Sequence, residues 1–158
     1  MKKNKMFIVL LCVLITLISV IVILSINLKT KTTFSKPKFD KSSSVKIPDN
    51  LNYNDSVLKV SDGYTFYIEA LPKIKKDHLI VNFISLENNN IWIKVRVLNS
   101  KEEVVAESGL VKPGEFLNKI KLNKSISSGD DISYVIMGYE KDTYFSAGVV
   151  NLNTKVGE

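Results

Sequence analysis

An uninterrupted apolar run near the start of the chain, Met6 to Leu28, constrains its fold more than any other feature. These 23 residues contain no acid or base and are dominated by Ile, Leu and Val. As a helix rising about 1.5 Å per residue, the run would be roughly 34 Å long, enough to cross a hydrocarbon core of about 30 Å. Thr16, Ser19 and Ser25 carry hydroxyls that can hydrogen-bond to the helix backbone. The run predicts one transmembrane helix over residues 6–28.

A cleaved signal peptide is the alternative for this run, because the five residues before it include three lysines. A signal h-region is about 7–15 residues long and ends at a small-x-small site. The run is longer and has no such site, which favours an uncleaved anchor. Cys12 follows Leu11 and lies inside the run, so we interpret this only cysteine as an apolar filler rather than a lipid attachment site.

The orientation of this helix has two interpretations. Counting lysines on both sides by the positive-inside rule favours a cytoplasmic C-terminal side. However, long C-terminal domains translocate largely regardless of charge, and a short lysine-rich start is typical of export signals. We therefore expect residues 1–5 to lie in the cytoplasm and the domain that follows the helix to lie on the extracytoplasmic side of the cell membrane.

The net charge of +6 comes from the first quarter of the chain. Up to Lys41 there are eight lysines and one acid, Asp40, giving 8 − 1 = +7, whereas the remainder carries 14 bases and 15 acids, giving 14 − 15 = −1. Nucleic-acid recognition needs a basic face on the folded domain. The distribution therefore argues against nucleic acid as a partner.

Residues 29–50 are rich in Lys, Ser and Thr and have no sustained apolar period. Such a composition buries too little apolar surface to fold alone. It predicts a flexible basic tether, which includes Ser42, Ser43 and Ser44. Its lysines are suited to anionic lipid headgroups or an anionic wall polymer, although a plain spacer is the simpler interpretation.

From residue 51 to residue 158 the sequence predicts an antiparallel β-sandwich, because short runs alternate apolar and polar residues between turn signals. Glu87 to Asn90 has the composition of a hairpin turn. Pro113 and Gly114 predict a type II turn, and Gly109 and Gly129 predict reversals or bulges at strand ends. The predicted strands are 64–70, 79–86, 91–98, 103–108, 116–122, 132–139 and 144–152, with a hairpin joining 79–86 to 91–98.

Three stretches within Phe83 to Leu152 carry a resemblance to a known group of proteins. They are Leu86-Glu87-Asn88-Asn89-Asn90-Ile91-Trp92-Ile93, Glu107-Ser108-Gly109-Leu110-Val111-Lys112-Pro113-Gly114-Glu115 and Ile120-Lys121-Leu122, followed by Gly129, Tyr134, Tyr139 and Gly148-Val149. The chain resembles uncharacterised membrane-anchored proteins of Gram-positive bacteria that carry an immunoglobulin-like β-sandwich. It departs from them at Gly129-Asp130-Asp131, where these proteins place an aromatic residue close behind the glycine. The resemblance implies an immunoglobulin-like fold and no particular activity.

The sequence offers little for catalysis or metal binding. His78 is the only histidine and no cysteine follows Cys12, which excludes a His/Cys zinc site within one chain. No Gly-x-Ser-x-Gly elbow accompanies His78, which we expect in a solvated loop. Residues 49–55 fail the EF-hand template. The acidic pairs Glu102-Glu103, Asp130-Asp131 and Glu140 with Asp142 fall in predicted turns, where solubility explains them; we expect no metal and no cofactor.

One surface stands out as a candidate binding site. Trp92, Lys94 and Arg96 alternate with apolar residues on one predicted strand, so they should project from the same face. An aromatic ring beside two cations suits a sugar ring or an acidic partner protein, whereas a ring closing the sandwich edge beside two solvated cations is the structural interpretation. We expect a non-enzymatic membrane-anchored binding or adaptor module in a cell-envelope or transfer complex. The alternatives are a cell-wall polymer-binding protein and an envelope enzyme that uses turn carboxylates.

Overall fold

The computed structural model describes residues 6, 13–19, 35–48, 51, 57–61 and 63–158. The chain divides into two compact units, Met1–Ser35 and Lys36–Glu158. The predicted start at 1–5, Cys12, most of the predicted transmembrane helix and residues 29–34 of the predicted tether lie outside the described residues. So does most of the 49–55 stretch.

In the first unit, residues 13–19 form a helix. Its hydroxyls bond to the helix backbone as expected: Thr16 donates to the Val13 carbonyl at 2.8 Å and Ser19 donates to the Thr16 carbonyl at 2.8 Å. Over the part of the chain that is described, no helix has the length and apolar character needed to cross a bilayer.

The second unit is an all-β sandwich, as the alternation of apolar residues predicted. Each of the seven predicted strands overlaps an observed one, and two short strands, β1 and β3, were not predicted. The strands of the described part are β1 (Val57–Ser61), β2 (Thr65–Glu69), β3 (Lys73–Lys75), β4 (His78–Ser85), β5 (Ile91–Asn99), β6 (Val104–Val111), β7 (Phe116–Lys121), β8 (Asp131–Glu140) and β9 (Ser146–Lys155).

Two antiparallel sheets make up the sandwich. In the first sheet β4 is central, and β7 pairs along one of its edges. The other edge of β4 pairs with β3 in its first half and with β2 in its second half. β1 pairs with the outer edge of β2. The second sheet has the order β6-β5-β8-β9. The chain therefore crosses between the sheets after β4, after β6 and after β7.

The core lies between the two sheets. It is built from the inward-facing residues, which alternate with outward-facing ones along the strands. Phe66, Phe83 and Tyr134 are among the largest fully buried side chains. The hydroxyl of Tyr134 donates to the Glu69 carbonyl at 3.1 Å, so the buried polar atom is satisfied. Burial, together with the nearby Glu69 carboxylate, raises the pKa of Tyr134 well above its ordinary value.

The predicted hairpin between 79–86 and 91–98 is wrong, because β4 and β5 belong to different sheets. The side chain of Asn89 explains the difference. Its amide oxygen accepts the Thr65 backbone N–H at 2.8 Å, and its amide nitrogen donates to the Thr65 carbonyl at 2.7 Å and to the Ser85 hydroxyl at 3.1 Å. The buried Asn89 thus bonds to β2 as a neighbouring strand would. Glu87 and Asn88 do form a turn, closed by the Asn89 N–H donating to the Leu86 carbonyl at 3.1 Å, but this turn opens a crossover between the sheets rather than a hairpin.

Residues 36–48, which fall within the predicted tether, belong to the folded unit instead. Leu110 of β6 donates to the Lys38 carbonyl at 2.8 Å, and its own carbonyl accepts the Asp40 N–H at 2.9 Å. Four residues later, Ser44 and Phe116 of β7 exchange two backbone hydrogen bonds, at 2.8 and 2.9 Å. We call residues 38–44 the docking segment; it joins an edge of one sheet to an edge of the other.

The composition of residues 29–50 did not predict that this segment docks on the sandwich. The segment is held by its backbone and by polar side chains rather than by apolar burial. Asp40 accepts hydrogen bonds from the Ser42 N–H at 2.8 Å and from the Gly109 N–H at 2.8 Å. Ser43 donates to the Glu115 carboxylate at 2.9 Å. Of the serines that suggested a solvated tether, Ser43 and Ser44 therefore bond to the sandwich, whereas Ser42 bonds to Asp40 within the segment.

Gly109 makes the approach of the docking segment possible. The pairing of β5 with β6 shifts between Lys94 and Arg96, so that Ser108 and Gly109 together oppose Val95 in a β-bulge. The Ser108 hydroxyl accepts the Val95 N–H at 2.9 Å. A Cβ on Gly109 would lie only 2.6 Å from the Asp40 Cα. The predicted bulge is confirmed, but it lies inside β6 rather than at a strand end.

The other predicted turns are as expected. Gly114 has a φ of 77° and the Glu115 N–H donates to the Lys112 carbonyl at 3.1 Å, which is the type II geometry that Pro113 predicts. Gly129 has a φ of 85° in the reversal that precedes β8.

Replacing Gly109 by alanine should release the docking segment. Because the new methyl group meets backbone atoms of Phe39 and Asp40, which move only with the whole segment, we expect Gly109→Ala to lower the free energy of unfolding by about 1–3 kcal/mol. Hydrogen exchange should show selective loss of protection at the Asp40 and Ser44 amides.

Gly63→Ala is the matched control, because Gly63 has a φ of 74° and nothing within 4 Å of its Cβ position. It should destabilise the domain through backbone strain while leaving the Asp40 and Ser44 amides protected relative to the rest of the domain. Equal exchange at these amides in the two variants would contradict the role given to Gly109.

Candidate functional site

The structure places Trp92, Lys94 and Arg96 on the outer face of β5. Along this strand buried residues alternate with half-buried ones, and the three candidate residues occupy the half-buried positions. Their side chains project away from the core because successive strand residues point to opposite faces. They do not form one uniform surface, since Trp92 and the two cations have separate partners.

Trp92 is the centre of a cluster of three aromatic rings. The ring of Phe39 lies edge-on to it, with centroids 4.9 Å apart and planes at 82°. The ring of Tyr144, from the turn between β8 and β9, lies 5.0 Å away at 55°. Both distances and angles are in the range of favourable aromatic pairs. We call Phe39, Trp92 and Tyr144 the aromatic cluster; it joins the docking segment to the β8–β9 turn.

Two lysines flank the aromatic cluster. The Lys36 ammonium lies 5.0 Å from the centroid of the Tyr144 ring, and the Lys112 ammonium lies 4.9 Å from the centroid of the Phe39 ring. Cations at this distance are attracted by the negative face of the ring. The cluster is therefore a surface of apolar rings with positive charge at its rim.

The β8–β9 turn that supplies Tyr144 is strained. Asp142 has a φ of 70° and Tyr144 a φ of 60°, and a left-handed backbone costs an L-residue roughly 1–2 kcal/mol. Thr143 stabilises the turn by donating to the Glu140 carboxylate at 2.9 Å. The turn is thus held in a conformation that places the Tyr144 ring against Trp92.

Lys94 and Arg96 are both ion-paired to Glu107 of β6. The Lys94 ammonium and the Arg96 Nε each lie 2.5 Å from a different oxygen of the Glu107 carboxylate. Partial burial acts to raise the pKa of Glu107, but hydrogen bonds and positive charge from Lys94 and Arg96 outweigh burial and hold that pKa below its usual value. One carboxylate thus partly neutralises the two cations proposed to face a ligand.

The groups considered for catalysis, His78 and the turn carboxylates, do not form one site in the structure. His78 begins β4 rather than lying in a loop, and its Nδ1 is 2.6 Å from an Asp77 carboxylate oxygen. Burial acts to raise the pKa of Asp77, but its own backbone N–H and the charge of His78 outweigh burial and lower that pKa. No serine shares the His78–Asp77 pair among the hydrogen bonds and ion pairs of the described residues.

The turn carboxylates have local partners. Glu103 pairs with Lys124 at 2.9 Å, and its pKa is lowered mainly by that hydrogen bond. Asp130 accepts the Ser127 N–H at 2.8 Å, and Asp131 lies 3.2 Å from Lys155. In the described part of the chain, no three His, Cys, Asp or Glu side chains come close enough together to hold a metal ion.

Sequence reasoning missed two members of the aromatic cluster. Phe39 stood in the segment assigned to the tether, and Tyr144 at the start of a predicted strand. A single aromatic residue in a polar stretch, Phe39 between Lys38 and Asp40, was the available signal for docking. The contacts of Phe39 and Tyr144 with Trp92 depend on the pairing of the docking segment with β6 and of β5 with β8. Both pairings are long-range, so no local sequence pattern predicts them.

The chain gives no match to the models of known protein families and no significant match to curated proteins. The class of protein is therefore defined by the fold alone: an all-β sandwich with a docked N-terminal segment.

Replacing Glu107 by glutamine tests the ion-paired group. We expect Glu107→Gln to lower the free energy of unfolding by about 1 kcal/mol at neutral pH, since it removes two charge-assisted hydrogen bonds in a partly solvated site. Because the pKa of Glu107 is lowered in the folded state, its contribution is present above the unfolded-state value of about 4.3 and is lost as the pH falls through the lower folded-state value.

The measurement is denaturant unfolding of both proteins from pH 7 to pH 3. The difference between wild type and Glu107→Gln should shrink below about pH 4. Glu103→Gln, which alters an exposed pair, should have a smaller effect at every pH. A difference that stays constant down to pH 3 would show that the carboxylate charge of Glu107 is not what stabilises the sheet.

Proposed function

We propose that this protein is a non-enzymatic binding or adaptor module, anchored in the cell membrane by residues 6–28. Its β-sandwich is presented on the extracytoplasmic side to a protein of a cell-envelope or transfer complex. The observation that carries the binding role is the aromatic cluster, a surface of three rings with two lysines at its rim.

The anchor is supported by the apolar run and by the described helical residues. The side chains of Val13, Leu14, Ile15, Leu17 and Ile18 are each more than half exposed. A helix that exposes apolar side chains around its circumference is stable in lipid rather than in water, and its hydroxyls bond internally as lipid requires. Because the folded unit begins at Lys36, the available tether shortens from residues 29–50 to residues 29–35.

An immunoglobulin-like arrangement is supported by the strand order. Taking β2, β4 and β7 as strands A, B and E, and β5, β6, β8 and β9 as strands C, C′, F and G, the sheets correspond to A-B-E and C′-C-F-G. The crossings between sheets after β4, β6 and β7 follow this assignment. Such sandwiches commonly serve as recognition modules, but the site rather than the fold defines what is recognised.

The composition of the aromatic cluster favours a protein partner over a sugar. Aromatic side chains and arginine are enriched at the centres of protein interfaces. Trp92 already contacts Phe39 and Tyr144, so its ring is less available to stack on a sugar than a lone tryptophan would be. The lysine rim favours an acidic border on the partner.

Partner capture tests this role. We expect the full chain, extracted from membranes in mild detergent after cross-linking, to retain a discrete envelope protein. Tyr144→Ala should reduce that recovery at least about tenfold, since central aromatic truncations at interfaces cost about 2 kcal/mol or more. Phe145→Ala is the matched control, because Phe145 is 69% exposed and lies outside the aromatic cluster.

Recovery that is unchanged in Tyr144→Ala, or equally reduced in Phe145→Ala, would contradict the assignment of the partner surface to the aromatic cluster. Thermal unfolding of both variants separates a loss of binding from a loss of fold.

Membrane anchoring and orientation need a separate experiment. The protein should stay in the membrane pellet after alkaline extraction, because a spanning helix is released only by detergent. Protease added to intact wall-stripped cells should degrade the domain. Release by alkali would contradict the anchor, and protection from protease would contradict the extracytoplasmic side.

A further inference from the structure

The outer face of the first sheet gathers lysines that lie far apart in the sequence. Because paired residues of neighbouring strands share a face, the register of β3 with β4 and of β4 with β7 defines two rows. One row is Lys73–Ile80–Lys119, and the next is Lys75–His78–Lys121. Lys76 lies in the turn beside the second row.

These lysines are available to a ligand. All five are exposed, and none forms an ion pair with a carboxylate among the described residues. The acids at this face are Asp77, which pairs with His78 and is also attracted by the charge of Lys121, and Glu69, which is 9% exposed and accepts the Asn82 amide at 3.0 Å. Five lysines and two acids give 5 − 2 = +3, on a chain whose residues after Lys41 sum to −1.

The lysines stand in two columns with a recessed floor between them. Neighbouring strands are about 4.8 Å apart, so the β3 and β7 columns are separated by about 10 Å. His78 and Ile80 of β4, which form the floor, are half-buried. A cavity of about 470 Å³ adjoins this floor on the side of β2 and β3, where Lys73, Lys75 and Ile80 line it together with Glu69 and Asn82.

A β-bulge in β4 ends this trough. The pairing of β4 with β7 shifts between Ile80 and Phe83, and Asn82 there has a φ of 41°. Asn82 donates to Glu69 and accepts the Asn118 amide at 2.9 Å, which ties β2, β4 and β7 together at one end. Bulges of this kind re-aim side chains beside functional sites. The opposite end, at the second row, is open.

We propose that this trough binds a linear polyanion with a non-aromatic backbone, such as a polymer that carries a phosphate in each repeat. Two columns of cations about 10 Å apart match one extended chain, whose bound counterions are released when the lysines replace them. Single-stranded nucleic acid would need exposed aromatic side chains for base stacking, but the two rows contain no Phe, Tyr or Trp, and their one imidazole, His78, is half-buried and paired with Asp77. A planar anionic bilayer would meet the lysine tips but leave the recessed floor unfilled.

The test is a titration of the full-length protein in nonionic detergent micelles with long-chain polyphosphate. The double variant Lys75→Gln with Lys121→Gln removes one lysine from each column and should weaken binding about tenfold or more. The matched control, Lys124→Gln with Lys155→Gln, changes the net charge equally but lies outside the rows. It should weaken binding less than about threefold, since screening limits distant charges.

The salt dependence of binding should become shallower in the first variant and stay unchanged in the control. Thermal unfolding checks that both variants fold. Equal weakening in the two variants would overturn the proposal, because binding would then follow net charge alone, and so would no binding of polyphosphate.

Two comparisons decide the class of ligand. Pyrophosphate should bind far more weakly than the long chain, and equal affinity would reduce the site to a point anion site and overturn the linear-polymer assignment. Tighter binding of an equally charged single-stranded oligonucleotide, or lysine-dependent binding to anionic phospholipid vesicles without binding of polyphosphate, would also overturn it. None of these outcomes depends on the membrane orientation or on the partner of the aromatic cluster.

Discussion

The arrangement of the sandwich depends on the backbone pairing of the docking segment with β6 and β7. These two strands form edges of different sheets, and an open edge is a template for association with other chains. Residues 38–40 pair with Leu110 of β6, and Ser44 pairs with Phe116 of β7. One short segment therefore covers part of both edges. The bulge at Ser108 and Gly109 provides the space for this approach. The aromatic cluster follows from the same pairing, since Phe39 reaches Trp92 only when Asp40 lies against Gly109.

Local patterns predicted the strands because buried and outward-facing residues must alternate along a half-buried strand, as they do in β5 from Ile91 to Leu98. They missed β3, which has three residues and two lysines, and they missed the docking segment, whose contacts are polar. The hairpin between β4 and β5 failed for a related reason. Glu87 and Asn88 form the turn that their composition predicts, and only the three bonds of the Asn89 side chain to Thr65 and Ser85 distinguish a crossover from a hairpin.

The charged residues also show how little a local sequence pattern says about long-range contacts. On one strand, alternation was enough to place Trp92, Lys94 and Arg96 on a common face, but the carboxylate that pairs with both cations comes from β6. In the first sheet the lysines of β3 and β7 are more than forty residues apart in sequence and meet only through β4. A domain whose charges nearly cancel thus presents a cationic face, and the total charge alone concealed it.

The two candidate surfaces lie on opposite sides of the sandwich. The aromatic cluster includes the outer face of β5, whereas the lysine rows occupy the outer face of β3, β4 and β7 in the other sheet. Sheets packed face to face are about 10 Å apart and direct their outer side chains away from each other. A ligand on one face therefore leaves the other accessible. Because the docking segment is bonded to β6 and β7 at once, both surfaces are fixed to the stretch of chain that follows the proposed anchor, which is the connection an adaptor requires.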